Sequence, residues 1–135
     1  MASDSDPKPG LHYRKIWLSI GWGLIALVVF LSVTSSPPQI DIDIAFLDKL
    51  EHFFAYSVLM GWFGQLYHQT RVRIGWFAAF VAMGISLEII QGLGGVRYFE
   101  YADMAANTTG ALIGWLLTRG GGGHLLSWFE QRLPA

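Results

Sequence analysis

Apolar residues form four long runs along the chain, and each run is bounded by polar or charged residues. The first run, at about 15–34, has no charged residue after Lys15 and is long enough to cross a hydrocarbon core of roughly 30 Å as an α-helix. Three more runs lie at about 48–67, 72–91 and 100–118, joined by short connections. The pattern predicts an all-α protein, an integral membrane four-helix bundle.

The first run has a second interpretation as a secretory signal peptide, because positive residues precede it and small residues follow it. The apolar stretch is longer than the usual core of a signal peptide, which favours a retained helix.

The last residues form a separate short segment. Residues 120–123 are all glycine, which predicts a flexible linker. In the following residues, Leu125, Leu126, Phe129 and Leu133 share one helical face, which is typical of an amphipathic helix lying at the membrane interface. A disordered end is the alternative. We therefore divide the chain into a transmembrane domain over 1–119 and a linker with an amphipathic tail over 120–135.

The positions of lysine and arginine predict the orientation, because positive residues are retained on the cytoplasmic side. Seven of them lie before the first run, between the second and third, or after the fourth: Lys8, Arg14, Lys15, Arg71, Arg73, Arg119 and Arg132. Two lie at the opposite ends, Lys49 and Arg97. This distribution predicts a multi-pass protein with both termini in the cytoplasm.

Composition supports a membrane setting and excludes several classes. The chain is 53% hydrophobic and 14% charged, against about 25% charged residues in an ordinary soluble domain. With a net charge of -1 and no basic stripe, nucleic acid is excluded as the main partner, whereas membrane lipids are expected. The absence of cysteine excludes disulfides, thiolate catalysis and cysteine-bound metals.

Polar residues nevertheless interrupt the apolar runs at the predicted outer end of the bundle. Residues three or four apart share a helical face, and three such stripes occur: Asp48, His52 and Tyr56; Gly84, Glu88 and Gln91; and Asp103, Asn107, Gly110 and Gly114. Ionisable groups within a membrane usually face the bundle interior or a wet cavity. The stripes therefore predict a shared polar cavity, open to the outer surface.

Three motifs resemble the VanZ-like family: DKLEHFFAY at 48–56, SLEIIQ at 86–91 and RYFEYADMAANTTGALIG at 97–114. This family is named for a member linked to resistance against the glycopeptide teicoplanin. The resemblance implies a protein of the bacterial cytoplasmic (inner) membrane with an outward-facing role in the cell envelope and an effect on glycopeptide susceptibility. It brings no settled reaction. The residues matching its polar signature are Asp48, Lys49, His52, Glu88, Gln91, Arg97, Asp103 and Asn107.

Roles follow from side-chain chemistry. His52, Glu88 and Asp103 are the candidate catalytic residues, because an imidazole beside a carboxyl group offers acid–base chemistry. The candidate substrate-binding residues are Asp48, Lys49, Gln91, Arg97 and Asn107, of which Lys49 and Arg97 could hold a phosphate or carboxylate. Such a site suits the binding or processing of a lipid-linked envelope precursor. Whether the protein is an enzyme stays open.

Two further alternatives remain. Asp48, His52, Glu88 and Asp103 could bind a divalent metal, but no zinc-protease motif supports one and the cofactor stays unassigned. In a non-catalytic partner-binding or scaffold protein, the same polar cluster would be an interhelical clasp, whose hydrogen bonds stabilise weakly. The oligomeric state is not predicted.

Overall fold

The computed structural model describes residues 10–34, 44–94 and 100–134. Its α-helices are α1 over Arg14–Thr34, α2 over Ile44–Leu66, α3 over Thr70–Leu93, α4 over Tyr101–Thr118 and α5 over Leu125–Glu130. A 3-10 helix over Gly121–His124 precedes α5, and these described ranges contain no strand. The all-α prediction is confirmed, and each of the four long helices begins and ends within about four residues of its predicted bounds.

Two helices of the described ranges, α1 and α3, are long and apolar enough to cross a membrane. The helices α2 and α4 carry the polar residues near their first turns, so the structure alone supports two of the four predicted spans. The first run corresponds to α1. A signal peptide and a retained membrane helix share the length and composition of α1, so both interpretations fit it.

Helices α2 and α4 pack more closely than any other pair of described helices, and they run parallel. Gly110 lies against the backbone of Phe53, and Gly114 lies against the backbone of Ser57 and Gly61 one turn further along. A Cβ atom at Gly114 would stand 2.5 Å from the Ser57 carbonyl oxygen. The two glycines are therefore required for the close approach, which brings the polar first turns of α2 and α4 together.

The apolar core lies below these first turns and is built around Phe63, which is fully buried together with Met60 and Leu59. The ring of Trp76 on α3 stacks on Phe63 with centroids 4.1 Å apart. Helix α1 joins the core at Gly21, which lies against Trp62 and Phe63. This core fixes α1 and α3 against the α2–α4 pair.

The C-terminal segment differs in part from its prediction. Residues Gly121–His124 form a 3-10 helix where the sequence predicts a flexible linker. Of the predicted apolar face, Leu126 is buried whereas Leu125, Phe129 and Leu133 stay exposed. The carboxylate of Glu130 accepts hydrogen bonds from the Trp17 indole at 2.5 Å and from the backbone amides of His12 and Tyr13. These hydrogen bonds hold the C-terminal segment against the start of α1.

Candidate functional site

The charged residues of the described ranges separate into two groups at opposite ends of the bundle. The acidic end, where α2 and α4 begin and α3 ends, contains Asp48, Lys49, Glu51, Glu88, Glu100 and Asp103. The basic end, where α1 and α3 begin and α2 and α4 end, contains Arg14, Lys15, Arg71, Arg73, Arg119, Arg132 and Glu130. The predicted site residues lie at the acidic end.

Lys49 is the centre of charge at the acidic end. Its Nζ atom lies 2.5 Å from Asp103 Oδ1 and 3.6 Å from Asp48 Oδ2, and it also pairs with the carboxylate of Glu100. The side chain of Asp103 is only 5% exposed, so its charge is poorly screened by water. Among the described residues, one ammonium group therefore faces three carboxylates.

His52 lies on α2, one turn after Asp48, and faces α4. Its Nδ1 atom is 2.9 Å from Asn107 Oδ1, and since an amide oxygen only accepts, Nδ1 carries the proton and donates. Its Nε2 atom then faces Asp48 Oδ1 at 3.7 Å and Asp103 Oδ2 at 3.9 Å. Both separations exceed hydrogen-bond length, so the imidazole is oriented toward two carboxylates that it does not touch.

Glu88 lies beside this group and has a different contact. It is 1% exposed, and its Oε1 atom accepts a hydrogen bond from the backbone amide of Glu100 at 2.8 Å. Glu100 is the N-cap residue of α4. Glu88 therefore joins the end of α3 to the start of α4.

Gln91 has an architectural contact as well. Its side-chain amide is buried and donates to the backbone carbonyl of Ser32 at 2.5 Å, which links α3 to the last turn of α1. The structure therefore uses Gln91 to connect two helices. Arg97, the remaining predicted binding residue, lies outside the described residues.

Gly84 explains how α3 reaches the site. A Cβ atom at this position would stand 3.0 Å from Asn107 Nδ2 and 3.3 Å from the Tyr56 hydroxyl oxygen. Tyr56 is itself 2% exposed. The three predicted stripes thus converge, with Tyr56 from the first, Gly84 from the second and Asn107 from the third.

Two features of the structure were not predicted from the sequence. Glu100 pairs with Lys49, and its spacing of three residues from Asp103 on α4 was the available signal. At the basic end, the rings of His68 and His124 stack with centroids 4.8 Å apart, beside a cavity of about 490 Å³ that both residues line together with Arg14 and Gln65.

A metal ion could be held by part of the predicted set. Single ligand atoms from Asp48, His52 and Asp103 all lie within 4.8 Å of one another, and among the described residues Glu88 is not in this group. The predicted four-residue metal set is therefore reduced to three residues. The donors are two carboxylates and one imidazole.

The arrangement is that of a helical protein with a buried polar site at one end of its bundle. The sequence profile of the VanZ/LLP1 family matches residues 8–126, which is nearly the whole chain. The chain therefore belongs to the VanZ/LLP1 family. Neither the curated proteins nor the solved structures yield a match to it.

Proposed function

We propose that this chain is a multi-pass protein of the bacterial cytoplasmic membrane that binds the polar head of a lipid-linked cell-envelope substrate at its acidic end. Membership of the VanZ/LLP1 family and the two strongly apolar helices support the membrane setting. The acidic end, in this proposal, is open to the outer face.

Helices α2 and α4 complete the four spans of this proposal. Their buried faces carry the polar residues, whereas their outer faces carry large apolar side chains. On α2, Phe54 is 59% exposed, and on α4, Leu117 is 68% exposed. Exposed apolar surface of this kind is unusual for a protein in water and suits contact with lipid. The polar residues then face the bundle interior, where intramembrane ionisable groups belong.

The orientation follows the charges of the two ends. Six of the seven lysines and arginines in the described ranges lie at the basic end, and Lys49 is the one at the acidic end. Positive residues stay on the cytoplasmic side, so the basic end is cytoplasmic.

Cysteine labelling tests this orientation, because the chain has no native cysteine. Tyr101→Cys places a thiol at the acidic end, and Gln69→Cys places one in the connection between α2 and α3; both native side chains are exposed. In intact cells, a membrane-impermeant maleimide should label the first variant and not the second, and both should react after lysis. The reverse pattern would contradict the topology.

The observation that carries the binding proposal is the group of three carboxylates around Lys49. A purely structural clasp would gain little from two largely buried acids and a third, exposed acid sharing one lysine, since desolvation of charges is costly. Such a group of carboxylates suits a positively charged group of a ligand. Because Lys49 is already paired, it is poorly suited to hold the phosphate or carboxylate of a substrate.

Processing of the substrate is the second candidate function, and the position of His52 favours it. Its Nε2 atom is directed at two carboxylates and lies at the acidic end, where a substrate group would enter. Asp48 and Asp103 are the carboxylates placed to act with it. Glu88, which accepts a backbone hydrogen bond, is better suited to positioning α4.

The binding proposal is tested with His52→Gln and Asp103→Asn, and with Glu51→Gln as the control. Glu51 is an exposed carboxylate on the same end of α2. Binding of a radiolabelled lipid-linked cell-wall precursor to the purified protein, and teicoplanin susceptibility of the cells, should both change in the first two variants and stay as in the parent in the control. Folded variants with unchanged binding would leave the clasp as the better interpretation.

A further inference from the structure

We propose that Asp48, His52 and Asp103 bind one divalent transition-metal ion, of the class of Mn²⁺ or Zn²⁺. This inference deepens the proposed function, since it lies in the same acidic end and assigns the cation that the site takes. It stands on three observations: the spacing of the donor atoms, the orientation of His52 and the environment of Asp103.

The spacing of the three side chains fits an ion between them. His52 Nε2 is 3.7 Å from Asp48 Oδ1 and 3.9 Å from Asp103 Oδ2. Two ligands that each lie about 2.0–2.2 Å from one metal ion are themselves about 3–4 Å apart. The observed gaps are too long for hydrogen bonds and match the gaps between ligands of a shared ion.

The orientation of His52 is that of a metal ligand. Its Nδ1–H group donates to Asn107 Oδ1, and this contact turns Nε2 toward the carboxylates. Metal-bound histidines usually donate their second ring nitrogen to an acceptor of this kind, and that contact fixes the tautomer and the ring. Asn107 is therefore a positioning residue.

Asp103 supplies the third observation. Its side chain is 5% exposed, and its Oδ1 atom pairs with the ammonium group of Lys49 at 2.5 Å. Its Oδ2 atom instead faces His52 Nε2 at 3.9 Å. Burial of a carboxylate is costly unless cations compensate it, and Oδ2 is the oxygen that an ion beside His52 would contact.

The donor atoms of the cluster also indicate which ion it takes. The donor set of one imidazole and two carboxylates favours Mn²⁺ or Zn²⁺ over Ca²⁺, which prefers oxygen ligands alone.

Metal titration of the purified, chelator-stripped protein tests the inference. Loss of the free Mn²⁺ signal in electron paramagnetic resonance should show one saturable site per chain, and a competing chromophoric chelator should show the same stoichiometry for Zn²⁺. Asp48→Asn and His52→Gln should weaken binding at least tenfold, and Asn107→Ala should weaken it about 10–100-fold. Glu51→Gln should bind as the parent does.

Circular dichroism establishes that each variant is folded, and the Asp48→Asn variant keeps the test decisive, because Asp48 is more exposed than Asp103. A folded parent without a saturable site, or an unchanged site in both Asp48→Asn and His52→Gln, would overturn the inference. Neither result bears on the proposed function, because precursor binding tests that function separately. If the protein binds metal but does not bind the precursor, the metal site is confirmed and the proposed substrate is wrong.

Discussion

The two ends of the bundle both bury charged side chains, but they compensate these charges differently. At the acidic end, charged groups contact one another: Lys49 meets Asp103 at 2.5 Å, and His52 faces two carboxylates without touching them. At the basic end, the buried guanidinium of Arg73 instead donates to backbone carbonyls, from Nε to Tyr67 and from Nη2 to Gly64, each at 2.6 Å.

The difference separates architecture from function. The carbonyls at the end of a helix need donors and attract positive charge, so Arg73 stabilises the end of α2. In the same way, the carboxylate of Glu130 accepts hydrogen bonds from the backbone amides before α1. At the acidic end, the charged side chains of the described residues instead pair with one another, and the proposed function places the ligand there. Substitutions at the basic end should therefore affect stability alone, and those at the acidic end should also affect binding.

Arg73→Met should give the largest loss of stability. The side chain is 6% exposed and satisfies two carbonyl groups at the end of α2, so its removal should lower the free energy of unfolding by about 2–4 kcal/mol. Thermal unfolding in detergent measures the loss, with the exposed Arg71→Met as the matched control. Metal binding at the acidic end should stay unchanged in folded protein. Equal melting of the two variants would contradict the architectural role.

Lys49→Met should have the second largest effect. It leaves the carboxylates of Asp48, Glu100 and Asp103 without their cation, and a loss of about 1–3 kcal/mol is expected at neutral pH. Saturating Mn²⁺ should restore part of that stability if the acidic end takes a divalent ion. Lys15→Met, which changes an exposed lysine at the basic end, should show neither effect. If Lys49→Met is as stable as its parent in the presence of chelator, Lys49 does not stabilise the neighbouring carboxylates and the prediction is wrong.

Glu130→Gln should cost about 1 kcal/mol, and the cost should depend on pH. Partial burial acts to raise the pKa of Glu130, but the hydrogen bonds from Trp17, Tyr13 and His12 outweigh it, and the pKa is lowered. A lowered pKa stabilises the folded state above the ordinary value of 4.5, and this contribution is lost as the pH falls through the folded pKa.

Thermal unfolding of the parent and of Glu130→Gln at neutral pH and at an acid pH below the folded pKa of Glu130 measures this contribution. The two proteins should differ at neutral pH and converge in acid, because the parent carboxylate is then protonated. Glu51→Gln, in which an exposed acid at the other end is changed, should follow the parent at both values. A difference that persists in acid would show that Glu130 acts through packing.

Helical periodicity predicted which polar side chains of the acidic end are buried. Glu88, Gln91, Asp103 and Asn107 are each at most 4% exposed, because a spacing of three or four residues places them on the inward faces of α3 and α4. Helical periodicity predicts on which face of its helix a side chain lies, but it does not predict which residue that side chain contacts. The contact of Gln91 with Ser32 joins residues 59 apart, and only the packing of α1 on α3 determines it.

The C-terminal segment shows the same limit of prediction from the sequence. Its glycines predict a flexible linker, but Glu130 contacts residues more than 110 positions away, and these contacts hold the segment in place. A sequence pattern carries no information on such a pairing. The four membrane spans remain a prediction for a related reason: the buried polar faces of α2 and α4 lower their hydropathy, although their outer faces are apolar.

Glu88→Gln should have the smallest effect on stability and sharpens the comparison within the acidic end. Glutamine keeps the oxygen that accepts from the Glu100 amide and removes the cost of burying a charge. The variant should be as stable as the parent, within about 0.5 kcal/mol, or more stable. Glu88→Leu leaves the Glu100 amide without that acceptor and should lose about 1–3 kcal/mol.

The two Glu88 variants separate the hydrogen bond from the charge, and precursor binding and teicoplanin susceptibility then separate Glu88 from the site. If Glu88 positions α4, the glutamine variant should keep both properties, whereas a folded His52→Gln protein should lose them. If Glu88 handles a proton or a cationic group of the substrate, the glutamine variant should melt as the parent does and still lose both. That outcome would make the ionised carboxylate of Glu88 part of the binding site, beside Asp48 and Asp103, and would place α3 among the helices that contact the ligand.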